Sequence, residues 1–157
     1  MTKKMCKHNR MTEVLPYLCI GGSCKHTEPP PVAFEPGLKK LRLVRAVETA
    51  PSRQAAFTRY FVCPNYGTPN VTVEWWAKET LRCDANSLDG VTTIVTDLGG
   101  HGRSGLYCAI IMAHVLNITG NEAIARLRQM HCEQAVETAE QETYVVRIAD
   151  ELRNWKG

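Results

Sequence analysis

The 157-residue sequence has no long hydrophobic run. Its longest apolar stretch, LYCAIIMAHVL, falls short of the ~20 residues that cross a bilayer, so no membrane partner is expected. The opening residues, MTKKMCKHNR, also lack an apolar run, so no signal peptide is expected. Charge of one sign is not in large excess: 19 Lys and Arg stand against 16 Asp and Glu, a net charge of +3. That argues against bulk nucleic-acid binding and mildly favours an anionic ligand. Internal repeats and low-complexity tracts are absent. The seven cysteines are an odd number, spread through core-like segments rather than spaced as a small secreted framework. They read as reduced thiols, which points to the cytoplasm. The tripeptide CKH occurs twice, at Cys6–His8 and Cys24–His26, but that spacing is unusual for zinc, so no metal and no other cofactor is expected.

What is present is globular composition, 44% hydrophobic and 22% charged. The length suits one domain, with residues 1–10 as a flexible tail and 11–157 as the folded unit. EVLPYLCIGG reads as one short strand, and the proline-rich CKHTEPPPVAFEPG as an extended loop. LKKLRLVRAVETA divides into a helix turn on Leu38, Leu41 and Leu43 and a strand, VRAVET. FTRYFVCP is a further strand. VTVEWWAKETLRCDANS forms a helix capped by Thr72. VTTIV suits a buried parallel strand. SGLYCAIIMAHVLNITG is an apolar helix closing near Gly120, Asn121 opens the next, and Thr138 caps a final amphipathic helix. The order predicts an α/β fold: a small, mostly parallel sheet flanked by helices.

The chemistry concentrates in VTDLGGHGRSG. Gly99, Gly100, Gly102 and Gly105 allow a tight turn with several N–H groups pointing inward, which is an anion nest. The helix that follows adds its positive N-terminal end. Arg103 can fork onto two oxygens of one phosphate. No lysine precedes Ser104, which excludes an NTPase loop. A dinucleotide fingerprint fails because no acidic partner follows a later strand. The bland alternative is a tight strand-to-helix turn whose glycines serve packing alone.

The segment resembles the phosphate-binding loop of the cysteine-dependent protein tyrosine and dual-specificity phosphatases, CxxGxxR[ST]G. Gly100, Arg103, Ser104 and Gly105 fit its last four fixed positions. EVLPYLCIGG resembles that family's LPxLYLG opening, LKKLRLVRAVETA its LKKLGITHVLNL segment, CPNYGTP its general-acid loop WPDxGxP, and AVETAEQETYV its C-terminal AVETxxQxxFV. The chain also resembles small phosphatases carried by bacteriophages. The resemblance implies a dual-specificity-phosphatase-like fold and a ligand that is a phosphoprotein, nucleotide or other phosphomonoester. It implies that the backbone of Leu98, Gly99, Gly100, His101, Gly102 and Arg103 cradles phosphate, with Ser104 bonding residue 97 from below, and that Glu137 and Gln141 lie in the water-positioning region. From the residues alone, Ser104 reads equally as a helix N-cap, and Glu137 and Gln141 as an ordinary helix start.

Two departures matter. In that family a cysteine thiolate attacks phosphorus and an aspartic acid protonates the leaving oxygen. Here Asp97 holds the nucleophile position and Asn65 the general-acid position. A carboxylate can be a nucleophile, but it can equally occupy the nest itself and pair with Arg103. Asparagine cannot give up a proton, and general acid catalysis is worth on the order of 10²–10⁴ in rate. Three readings follow: a pseudophosphatase that binds a phosphorylated ligand, an active phosphatase whose nucleophile has been altered, and an interaction domain closed by an Asp97–Arg103 pair. Cys63 and Cys132 read as filler and core, Trp75 and Trp76 as one core and one pocket-edge ring, and Arg42, Arg45, Arg126 and Arg128 as solvated faces.

Overall fold

The computed structural model describes residues 11–21, 40–54, 58–97 and 102–156. The basic tail, the proline-rich loop, both CKH tripeptides and Leu38 lie outside them. Proline cannot donate to a ladder, and at Pro16 the expected single strand doubles back. Strands β1 (Thr12–Leu15) and β2 (Leu18–Ile20) pair antiparallel, with Tyr17 in the left-handed region at φ 68°.

The helix turn expected at Leu41 and Leu43 is replaced by strand. Strand β3 (Lys40–Val47) runs unbroken between two parallel neighbours, β4 (Thr58–Val62) and β5 (Val91–Asp97). Hydrogen bonding on both edges outweighs the local leucine spacing, and Val44 and Ala46 are buried at the two-residue period of a strand. β5 also pairs parallel with β2, so the five-stranded sheet has the order β1-β2-β5-β3-β4. β5 is buried from Thr92 to Asp97, as a central parallel strand should be.

Helix α1 (Val73–Leu88) starts at the expected cap: the Thr72 hydroxyl accepts the Trp75 N–H at 3.1 Å. Helix α2 (Gly102–Leu116) is buried on every side from Gly102 to Ala113, the pattern of a central helix. It ends at Leu116, before Gly120, with Asn117 at φ 53°. Gly120 instead opens helix α3 (Gly120–Met130), whose cap is Thr119 rather than a start at Asn121. The reason is tertiary. A Cβ on Gly120 would lie 2.6 Å from Val146 Cα, so only glycine lets α3 begin against helix α4 (Ala139–Arg153). Thr138 caps α4 in a capping box with Gln141.

Two of the arginines expected on solvated faces are built into the structure. Arg42 reaches between the sheet and the helices, donating to Thr93 Oγ1 at 3.3 Å and to Cys83 Sγ and Tyr107 Oη at 3.3 and 3.4 Å. Arg128 donates to the Ala135 and Val136 carbonyls at 2.9 and 2.7 Å and to Glu142 Oε1 at 2.6 Å. Arg128 thereby satisfies two backbone carbonyls of the 135–136 segment.

Candidate functional site

The site forms where β5 ends and α2 begins, at the carboxyl edge of the parallel strands. Asp97 is the last residue of β5 and only 7% exposed. Its Oδ2 accepts the backbone N–H of Ser104 at 2.9 Å, across the first turn of α2. Its Oδ1 is buried and takes no hydrogen bond among the described residues. Burial pushes the Asp97 carboxyl up to about 6, against the opposing pull of the Ser104 N–H and the Arg103 guanidinium, and the Glu137 carboxylate adds to the rise.

Gly102, Arg103 and Ser104 are all buried in the first turn of α2. The Gly102 N–H is one of the helix donors without an intrahelical partner. It is taken by Glu137 Oε1 at 2.9 Å. Glu137 is itself exposed, so a surface carboxylate reaches back to a buried helix end. The segment bearing it is clamped from below by Arg128. It also lies so close to α2 that a Cβ on Gly105 would sit 2.7 Å from the Val136 N.

Gln141 is fully buried. Its Oε1 accepts from the Glu137 and Thr138 N–H groups at 3.0 and 3.3 Å, and its Nε2 donates to the Gly67 carbonyl at 3.0 Å. The Thr138 hydroxyl donates to the Tyr66 carbonyl at 3.4 Å. The start of α4 therefore holds the 64–67 turn. Asn65 lies in that turn and is exposed, beside Tyr66 at φ 61°.

Cys63 lies at the entry to the same turn, where the fields of Arg103 and Asp97 reach it. It is fully buried, and its thiol points at the Pro64 and Gly67 carbonyls, each at 3.6 Å. Burial pushes this thiol up to about 12, with Arg103 opposing and Asp97 adding to the rise. Cys63 is therefore filler rather than a displaced nucleophile, because the thiolate is the reactive form.

The fold thus brings Asp97, Gly102, Arg103, Ser104, Glu137 and Gln141 together, with Asn65 on a turn tethered to them. Leu98, Gly99, Gly100 and His101 lie outside the described residues. Of the two tryptophans, Trp76 is the core ring and donates to Tyr144 Oη at 2.7 Å. Trp75 stacks on Phe61, with the Arg59 guanidinium over its face. Sequence reasoning missed Arg128 as the support of the Glu137 segment and Thr138 as a tether of the 64–67 turn. The second had a signal, since a capping threonine at 138 places its hydroxyl at the helix mouth.

No protein-family model and no curated protein sequence matches the chain. Solved structures do. Tk-PTP in its active form is 14% identical with a TM-score of 0.66, over 90% of this chain and 96% of that one. The human tyrosine phosphatase-like serine/threonine/tyrosine-interacting protein is 14% identical with a TM-score of 0.68, over 94% and 99%. Kinase associated phosphatase, solved with serine in place of its catalytic-site cysteine, is 16% identical with a TM-score of 0.66, over 93% and 96%. The chain has the single-domain α/β fold of the dual-specificity and tyrosine phosphatases.

Proposed function

We propose that this protein is a catalytically impaired member of the phosphatase fold that binds a phosphorylated ligand where β5 meets α2. The observation that carries the reading is Asp97. A carboxylate stands at the strand end, hydrogen-bonded to the helix it precedes, in the position from which the resemblance would have a thiolate attack. The nearby thiol, Cys63, is buried and held protonated. Asn65 has no proton to give a leaving oxygen. What remains is a binding arrangement: an arginine in the first turn of a buried helix, with that helix's positive end behind it. One solved structure of this fold carries the name of a phosphatase-like interacting protein, which is in keeping with a binding role.

The test is to assay the protein beside Asp97→Cys on a small activated aryl phosphate, which needs little leaving-group protonation. An inert parent and an active cysteine variant are expected. If both are inert while well folded, the site no longer handles phosphate. A closed interaction domain, its pocket shut by an Asp97–Arg103 pair, then becomes the reading. An active parent would instead make Asp97 a working nucleophile.

A further inference from the structure

Two of the protein's own carboxylates sit on the donors that an incoming anion needs. Glu137 Oε1 accepts the Gly102 N–H and Asp97 Oδ2 accepts the Ser104 N–H, so the first turn of α2 is already occupied by negative charge. These N–H groups are the free ones at a helix start, and anions bound there compete for them directly. The two residues differ in how they are held. Glu137 is exposed and can turn out into water. Asp97 is buried at the end of a central strand and cannot leave, and its Oδ1 lacks a partner among the described residues. We propose that the site is self-occupied, and that a tetrahedral dianion enters by displacing Glu137 from Gly102 while Asp97 takes up a proton.

This inference rests on the reading of the site as an anion cradle and adds how the cradle is opened. Among the described residues, the charged and titratable groups facing Asp97 are Arg103 and Cys108 from α2, Glu137 from the segment before α4, and Cys63 just after β4. Arg103 is the one cation among them. A dianion beside Asp97⁻ would place three negative charges against that one positive charge, in a buried setting where like charges force protonation. Once protonated, Asp97 Oδ1 becomes a donor and finds a partner in the anion. The sign follows directly. Below about 6 Asp97 already carries the proton, so binding costs no uptake. Above that value each bound dianion must draw one proton from solution, so affinity falls as pH rises.

Sulfate is the probe, because its charge is constant over the range that matters. Calorimetric titration of the protein with sulfate is expected to show a plateau of affinity below pH 6 and a roughly tenfold weakening per pH unit above it, with about one proton taken up per sulfate. Asp97→Asn is expected to remove that slope and to bind at pH 8 as the parent binds at pH 5.5. Glu137→Ala is expected to tighten binding several-fold while keeping the slope. A parent whose sulfate affinity is the same at pH 5.5 and 8, or a slope that survives Asp97→Asn, overturns the proposal. If that happens while Asp97→Cys still hydrolyses the aryl phosphate, the cradle stands and only its gating is lost. If sulfate binds none of the variants at any pH and Asp97→Cys is inert, the cradle reading fails and the gating fails with it.

Discussion

At the residue scale, the same burial that disarms Cys63 makes Asp97 costly. A carboxyl raised to about 6 in the folded chain holds its proton more tightly there than in the unfolded chain, where ~4 is usual. Folding stability therefore falls as pH rises from ~4 to about 6, and above that the full penalty of the ionised group remains. Two units correspond to about 3 kcal/mol as an upper bound. Asp97→Asn keeps an acceptor for the Ser104 N–H and removes the charge. It is expected to raise the melting temperature by several degrees at pH 7.5 and by little at pH 4. Thermal unfolding of both proteins at the two pH values checks this, and an equal shift at both would show that ionisation is not the cause. Cys63 is expected to resist alkylation at pH 8 in the folded protein and to react once unfolded, as peptide mass spectrometry would show.

At the element scale, the α2–α3–α4 assembly depends on backbone approach at two glycines. Gly120 lets α3 start against Val146, and Gly105 lets α2 pass beside Val136. Gly120→Ala puts a methyl group 2.6 Å from a backbone carbon that cannot swing aside, so a loss of about 2 kcal/mol or more is expected. Gly90→Ala is the contrast, with φ +74° but open space around it, where the left-handed conformation alone costs about 1 kcal/mol. Denaturant midpoints for the pair separate crowding from backbone strain, and equal losses would refute the packing account. Helix beginnings were legible where a single side chain made them: Thr72 and Thr138 cap as their positions suggest. The boundary at Gly120 was not, because a glycine that ends one helix and a glycine that admits the next look alike until the neighbouring backbone is known.

At the scale of the whole molecule, a buried polar centre ties sheet to helices. Glu79 on α1 is fully buried. Its Oε2 accepts from Arg59 Nε of β4 at 2.9 Å and from Tyr107 Oη of α2 at 3.0 Å. Its Oε1 faces Arg82 at 3.6 Å, an ion pair too long to be a hydrogen bond. Arg42 joins from β3 through Tyr107 and Cys83. Removing one partner of such a set strands the others, so Glu79→Ala is expected to cost about 3–5 kcal/mol and Glu79→Gln distinctly less. Urea unfolding of the two variants decides this, and a near-neutral Glu79→Ala would mean that the arginines simply turn to solvent.

The sequence by itself determined the α/β class, the buried strand leading to a helix with Arg103 at its start, and the lack of a thiol at residue 97. Each of these is local: β-branched runs, capping threonines and the spacing of glycine and arginine all act within a few residues. The tertiary structure alone decided that Thr12–Leu15 and Leu18–Ile20 pair as a hairpin and that Lys40–Val47 is strand throughout, because pairing on both edges of β3 outweighs leucine spacing. It alone brought Glu137 onto Gly102, a contact between groups 35 residues apart, and set Arg128 beneath the segment that bears Glu137. Side-chain identity states what chemistry is present. Only the packing of β5, α2 and α4 states which carboxylates share one helix end, because burial and charge act through space.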